Sequence, residues 1–218
     1  QYLIGSASTK LQGGGRGMIH PHTRLVWINS EIGYGVFTTA FIPRGTIVYV
    51  EDALDIRIGP DSPLLSDPRY MELIARYSTR DARGNRWLSW DIGKYVNHCC
   101  HYNCLDTAYG FEIAVRDIQA GEEITDDYGL FNLEQDLVLC GHYEDCRRVV
   151  RPDDFDRRVA RWDQEIKEAL KAFQQVPQPL LAYVDAQEYE DLAVYLATGQ
   201  EYKSVRALRY HDCGSRDR

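Results

Sequence analysis

Residues 95–104 read Tyr95-Val96-Asn97-His98-Cys99-Cys100-His101-Tyr102-Asn103-Cys104. The cysteines and histidines first suggest a metal site, yet adjacent cysteines rarely both bind one ion in a tetrahedral site. Asn97 and Asn103 are instead typical of side chains that hold a loop by hydrogen bonding to its backbone. Taken alone, the stretch leaves open whether His98 is a ligand or a buried histidine of the core.

Two further stretches lie upstream and downstream of it. The first reads Ile32-Gly33-Tyr34-Gly35-Val36-Phe37, and its two glycines allow a ligand to approach the backbone ahead of a strand. The second reads Gly121-Glu122-Glu123-Ile124-Thr125-Asp126-Asp127-Tyr128-Gly129, an acidic turn followed by a strand that ends at the tyrosine. Each of them, in isolation, is more typical of an ordinary turn or strand end than of a ligand site.

The order and spacing of the three stretches are more informative than any one of them. Gly-x-Gly-Val-Phe, then Asn-His-x-Cys-x-x-Asn, then Gly-Glu-Glu-Ile-Thr-x-Asp-Tyr-Gly together resemble the SET-domain family of protein lysine methyltransferases. The resemblance extends from about Leu25 to Arg148 and is strongest over residues 94–129. It implies an α+β fold, mainly β, of several small sheets with a threaded, knot-like C-terminal segment. The chain is similar to a small free-standing member of the family, a design that suits a bacterial source.

The same resemblance implies a site for S-adenosylmethionine and a channel for lysine. Tyr128 matches the catalytic tyrosine, and its hydroxyl would steady the methyl group rather than act as a base, because tyrosine has a pKa of about 10. The channel would be lined by Tyr95 and Tyr128, with Tyr109 or Phe131 beside them. The cofactor would be bound by Gly33, Tyr34, Gly35, Val36, Phe37, Asn97, His98, Tyr128 and Phe131.

Asp126 departs from the family pattern, because many members carry Phe or Tyr at this position. A carboxylate here would bond the amine or hold a water molecule, so Asp126 is counted with the catalytic residues and the number of methyl groups added stays open. A sulfonium about 5 Å from the ammonium would lower the amine pKa from about 10.4 towards 8. Asp126 would oppose that effect, because an opposite charge favours the ammonium.

A second cysteine-bearing stretch, Cys140-Gly141-His142-Tyr143-Glu144-Asp145-Cys146, resembles the cluster that many members place after the catalytic strand. It has one cysteine fewer than that cluster. Cys100, Cys140 and Cys146 would supply three zinc ligands, with His142 or Cys104 as the fourth. The alternative is a group of free thiols packed near one another.

The formal net charge of −8 argues against a nucleic-acid-binding surface. No apolar run approaches the roughly 20 residues that span a bilayer. We therefore expect an intracellular protein, cytoplasmic, or nuclear if eukaryotic, whose partner is a basic lysine-containing protein or peptide; the oligomeric state stays open. One block is strongly acidic and is interpreted either as a binding surface for that peptide or as a solvated surface. It consists of Asp117, Glu122, Glu123, Asp126, Asp127, Glu134 and Asp136.

With the resemblance, the chain divides into four expected parts: a flexible lead-in over 1–17, the SET domain that the resemblance implies over 18–130, a cysteine segment over 131–152 and a helical extension over 153–218. A helix is predicted to open at Asp67-Pro68 with Ser66 as N-cap and a buried stripe of Tyr70, Leu73, Ile74 and Tyr77. A second amphipathic helix would bury Val159, Trp162, Ile166, Leu170 and Phe173, and Asp185 with Glu188 would form a capping box for a third.

Two other functions compete with methyl transfer. The chain could be a SET fold without turnover that binds peptides as a scaffold, or a zinc-binding interaction domain. Asn97, His98 and Tyr128 are all present, which favours the enzyme.

Overall fold

The computed structural model describes residues 18–139 and 146–211. The predicted lead-in, 1–17, and Cys140 and His142 lie outside the described residues. Within the described ranges the chain forms three α-helices, which are α1 (Met71–Tyr77), α2 (Asp154–Leu170) and α3 (Ala186–Thr198). The strands of the same ranges are β1 (Thr23–Asn29), β2 (Gly33–Thr38), β3 (Ile47–Val50), β4 (Ile56–Ile58), β5 (Ser78–Arg80), β6 (Arg86–Leu88), β7 (Asn97–His98), β8 (Cys104–Asp106), β9 (Phe111–Ala114), β10 (Thr125–Asp126), β11 (Leu137–Val138) and β12 (Val149–Val150).

These short strands form several small sheets, as the resemblance implied, so the predicted fold class is confirmed. The pairs β1–β2 and β11–β12 are antiparallel, and two three-stranded sheets have the orders β3–β9–β8 and β4–β6–β5. β7 and β10 pair in parallel, with Asn97 opposite Thr125 and His98 opposite Asp126. This pairing places the two most informative sequence stretches side by side. The threading of the C-terminal segment stays a prediction.

Helix α2 packs against the sheet β3–β9–β8. Val159, Trp162, Ile166 and Leu170 follow its 3.6-residue period and are buried against β3, β8 and β9, as predicted. The helix ends at Leu170, so Phe173 is buried from the following 3-10 turn rather than from the helix. The main core therefore joins the N-terminal sheets to the helical extension.

Asp185 caps α3, because its carboxylate accepts the backbone N–H of Gln187 at 2.9 Å. Glu188, the other member of the predicted capping box, forms an ion pair with Lys203 at 2.8 Å. The predicted capping box is thus confirmed for Asp185, the residue that caps α3.

The prediction for α1 was wrong at its start and for most of its face. The helix begins at Met71, and Ser66 instead closes a 3-10 turn by donating its hydroxyl to the carbonyl of Pro63. Ile74 is buried, whereas Tyr70 and Leu73 are 42% and 56% exposed. A helix of seven residues makes few packing contacts, so apolar residues at helical spacing need not form a buried face. In the ranges described, none of the helices is long and apolar enough to cross a membrane.

Candidate functional site

The two glycines of β2 are required by their surroundings. Gly33 has φ +87°, in the left-handed region that favours glycine. A Cβ at Gly35 would lie 2.7 Å from Cδ1 of Ile28 and would collide with the Glu123 carboxylate. The close approach of this strand to its neighbours thus depends on the missing side chain.

We expect Gly35→Ala to lower the free energy of unfolding by about 1–3 kcal/mol, because the added methyl group overpacks a contact that is already closed. Urea denaturation measures the change. Gly59→Ala is the matched control, since a Cβ there meets no atom within 4 Å. Equal stability of the two variants would contradict the packing described for β2.

Asn97 connects β2 to the acidic turn. Its side-chain amide donates to the carbonyl of Tyr34 at 3.0 Å and to the Glu123 carboxylate at 2.8 Å. The predicted role of holding a loop through its backbone therefore has a defined target, the Gly33–Gly35 strand.

His98 and Tyr128 are in direct contact. Nδ1 of His98 accepts the backbone N–H of Tyr128 at 3.1 Å, and the ring centroids are 5.5 Å apart. Burial lowers the pKa of His98 to about 4 and the nearby Asp127 charge only partly offsets this, so the imidazole is neutral at pH 7. A neutral ring that accepts at Nδ1 carries its proton on Nε2, which faces the Cys100 thiol at 3.6 Å.

The Tyr128 hydroxyl is fixed in place. It donates to the carbonyl of Val96 at 2.7 Å, and the ring lies 4.9 Å from that of Phe131. Burial, followed by the negative charge of Asp126, raises the pKa of Tyr128 above its usual value. The phenol therefore keeps its proton, which agrees with a role other than general base.

A cavity of about 980 Å³ joins these groups. Its wall includes most of the predicted site residues, namely Gly33, Tyr34, Tyr95, Asn97, His98, Asp126, Tyr128 and Phe131. Gly35, Val36 and Phe37 are not part of this wall, and the Val36 side chain is buried in the core. Tyr109 is buried in the main core with α2, and its hydroxyl accepts the backbone N–H of Lys203. It does not line the cavity and so does not reach the predicted channel.

One side of the cavity is aromatic. The ring of Tyr95 lies edge-on to Tyr34 at 5.6 Å and to Tyr77 at 5.5 Å, and Trp27 continues the row beyond Tyr34. Such a wall is well suited to an alkyl chain that carries a cation. Sequence reasoning found Tyr95 but not Tyr77, because Tyr77 was assigned to a buried stripe.

The wall also carries carboxylates that sequence reasoning missed. Glu51, Asp106 and Glu112 line the cavity together with Asp126. Burial raises the pKa of Glu112 and of Asp126. Repulsion by Asp106 adds to the effect on Glu112, and repulsion by Glu112 adds to the effect on Asp126. The available signal was Glu112, a lone acid within the apolar strand Phe111–Ala114.

Asp127 was read as part of an acidic surface, and that interpretation was wrong. Its side chain is 1% exposed, forms an ion pair with Arg147, and accepts the N–H of Gly129 at 3.0 Å and the indole N–H of Trp162 at 3.3 Å. Asp126 is also buried, and Glu134 pairs with Arg80. The block 117–136 is therefore not one open acidic face.

Cys146, one of the predicted zinc ligands, meets Cys99 and His101, which were not predicted, whereas Cys140 and His142 lie outside the described residues. The ligand atoms of Cys99, His101 and Cys146 lie within 4.8 Å of one another, the arrangement of a candidate metal site. Cys100 instead accepts the backbone N–H of Arg147 at 3.2 Å, and Cys104 is fully buried beside Asn103. Of the predicted ligands Cys100, Cys140 and Cys146, Cys146 alone belongs to the group found among the described residues.

With this geometry established, comparison with known families is informative. Residues 33–129 match the family described as the SET domain, less than half of the chain. Residues 33–129 are therefore similar to a SET domain. The matched range begins at the first glycine of β2 and ends one residue beyond Tyr128, so it encloses the sequence stretches that surround the cavity.

Solved structures that are named as histone methyltransferases also resemble the chain. The methyltransferase domain of human histone-lysine N-methyltransferase SETMAR matches with a TM-score of 0.40 and 18% identity, over 59% of this chain and 57% of that one. The chain thus spans little more than half the length of that domain. A proposed histone methyltransferase of Plasmodium falciparum matches with a TM-score of 0.37 and 20% identity, over 49% of this chain and 92% of that one. No curated protein matches the sequence.

Proposed function

We propose that this SET-domain protein transfers a methyl group from S-adenosylmethionine to the side-chain amine of a lysine in a protein substrate. The observation that carries the proposal is the direct contact between His98 and Tyr128 at a cavity lined by Gly33 and Asn97. The matched family and the motif resemblance supply the reaction class.

The residues present fit the cofactor. The backbone of Gly33 and Tyr34, with no side chain at Gly33, lies on the cavity wall beside Asn97, and His98 lines the same cavity. S-adenosylmethionine, when bound, would supply the methyl group on a positively charged sulfur. The residues of the chain contribute position: Asn97 holds β2, His98 holds the Tyr128 backbone, and Val96 orients the Tyr128 hydroxyl.

The experiment is transfer of an isotope-labelled methyl group from S-adenosylmethionine to a panel of basic proteins, followed by mass mapping of the modified residue. We expect label on lysine, with one or a few proteins preferred. Label on another residue type would overturn the lysine assignment. No transfer to any protein, with the cofactor bound, would favour the scaffold alternative.

We also propose that Cys99, His101 and Cys146 bind zinc. Two thiols and an imidazole are a common part of a tetrahedral zinc site, and the ligand atoms of these three residues lie within 4.8 Å of one another. The fourth ligand is left open.

Elemental analysis of the purified protein tests this site. We expect about one zinc per chain, and a large loss of zinc in Cys146→Ser. Cys104→Ser is the control, because Cys104 lies outside the group. A metal-free native protein would leave the free thiols as the correct interpretation, and zinc without any cofactor binding would favour an interaction domain.

A further inference from the structure

The carboxylates of Asp106, Glu112 and Asp126 line the cavity together with Tyr49 and Tyr128. In the sheet β3–β9–β8, Glu112 lies directly opposite Tyr49 on one side and Asp106 on the other. Directly opposite residues project to the same face with Cβ atoms about 5 Å apart. Asp126, two residues before Tyr128, lines the same cavity.

Two of these side chains are buried with an oxygen that has no partner. Asp126 is 2% exposed and Glu112 is 8% exposed. Oδ1 of Asp126 and Oε2 of Glu112 make no hydrogen bond to the part of the chain that the structure describes. Because a buried unsatisfied carboxylate oxygen is costly, these atoms indicate a ligand that the protein itself does not supply.

The cations on the cavity wall have other partners. Arg76 donates to the carbonyl of Ile32 at 3.4 Å and lies over the Tyr77 ring. Arg86 pairs with Glu134 at 2.7 Å, Arg147 pairs with Asp127, and Lys94 donates to the carbonyls of Ser89, Trp90 and Asp91. Among the residues described, no ion pair joins any basic side chain to Asp106, Glu112 or Asp126. No basic side chain among the described residues therefore neutralises this row of carboxylates.

A bare metal ion is not the matching ligand. In residues 18–139 and 146–211, the one group of three or more ligand atoms that converge as for a metal is Cys99, His101 and Cys146. The carboxylates line a wider space, which is completed by the rings of Tyr49, Tyr95 and Tyr128. Carboxylates and aromatic rings on one cavity wall match an alkyl chain that ends in N–H donors.

We propose that Asp106, Glu112 and Asp126 form a cation subsite that binds the charged ammonium group of an alkylamine. The exposed Glu51 at the cavity mouth would draw the amine inward. The inference deepens the proposed function and rests on it only in naming this amine as the methyl acceptor. The amine comes either from a lysine side chain or from a free polyamine.

Binding of n-butylamine, without S-adenosylmethionine, tests the subsite apart from turnover. Amide chemical shifts would be followed by NMR at about pH 8, where the amine is charged. We expect n-butylamine to bind at least 10-fold more tightly than 1-butanol, its neutral counterpart, and Glu112→Gln with Asp126→Asn to weaken amine binding about 10-fold. Glu72→Gln, an exposed acid of the same wall, is the matched control and should bind like the wild type.

Equal affinity for the amine and the alcohol would overturn the subsite. Amine affinity that is unchanged in the variant with Glu112→Gln and Asp126→Asn would overturn it as well. The single variants Glu112→Gln and Asp126→Asn give the same test if the double variant does not fold. Burial raises the pKa of Glu112, so its ionised form costs stability as pH rises, and the Gln variant should fold at least as well at about pH 8.

A lysine peptide and spermidine then distinguish the two sources. Tighter binding of the peptide supports a protein substrate, whereas tighter binding of spermidine supports the subsite but overturns the protein part of the proposed function. Carboxylate-dependent amine binding without methyl transfer would overturn the activity alone. Methyl transfer without carboxylate-dependent binding would overturn the subsite alone.

Discussion

Tyr128→Phe is expected to lower the rate of methyl transfer by about 100-fold or more. The substitution removes only the hydroxyl, which is held at 2.7 Å from the Val96 carbonyl and is oriented at the cavity wall beside His98. Because the pKa of Tyr128 is raised, this hydroxyl stays protonated across the usual assay range, and the loss should not depend strongly on pH between about 7 and 9. Initial rates with labelled cofactor measure the effect.

The control for this prediction is Tyr183→Phe, which removes a hydroxyl from a tyrosine that is 53% exposed and far along the chain from the SET motifs. Loss of the Val96 hydrogen bond should cost Tyr128→Phe about 1 kcal/mol of stability, so both variants are compared well below their melting temperatures. If Tyr128→Phe retains the wild-type rate, the tyrosine does not take part in the transfer.

Asp127→Ala is expected to lower the free energy of unfolding by about 3–5 kcal/mol. Its carboxylate is the buried partner of Arg147, and it also accepts hydrogen bonds from Gly129 and from Trp162 of α2. Removing it leaves a guanidinium that is only 15% exposed, with Asp154 at 3.3 Å as the remaining partner. Urea unfolding followed by circular dichroism measures the change.

Asp136→Ala is the matched control for that variant. Asp136 pairs with Arg151 at 3.7 Å, but both side chains are more than half exposed, so the expected change is below about 1 kcal/mol. A similar small effect for Asp127→Ala would show that the buried network does not join α2 to the Tyr128 turn.

The meeting of Asn97, His98 and Tyr128 could be anticipated because their motif order resembles a family whose fold brings these stretches together. Hydrophobic period alone predicted α2, since Trp162 and its neighbours pack on one large sheet surface. The same reasoning failed for α1, where seven residues have little to pack against and Leu73 faces solvent.

The carboxylate row could not be read from the sequence. Asp106 and Glu112 lie on different strands, and only their register places them opposite each other. Glu51 comes from a third segment, so no spacing along the chain connects it to Asp126. Asp127 was missed for a related reason: an acid within an acidic stretch looks solvated until its partner, 20 residues away, is known.

The most direct test of the account is calorimetric titration of the purified protein with S-adenosylmethionine. The account predicts one cofactor per chain and at least 10-fold weaker binding to Asn97→Ala, which loses the amide that holds the Tyr34 carbonyl. Asn85→Ala, whose amide bonds only to Asp81, should bind like the wild type. A folded wild-type protein that gives no binding heat with S-adenosylmethionine, and none with its demethylated product, would contradict the account.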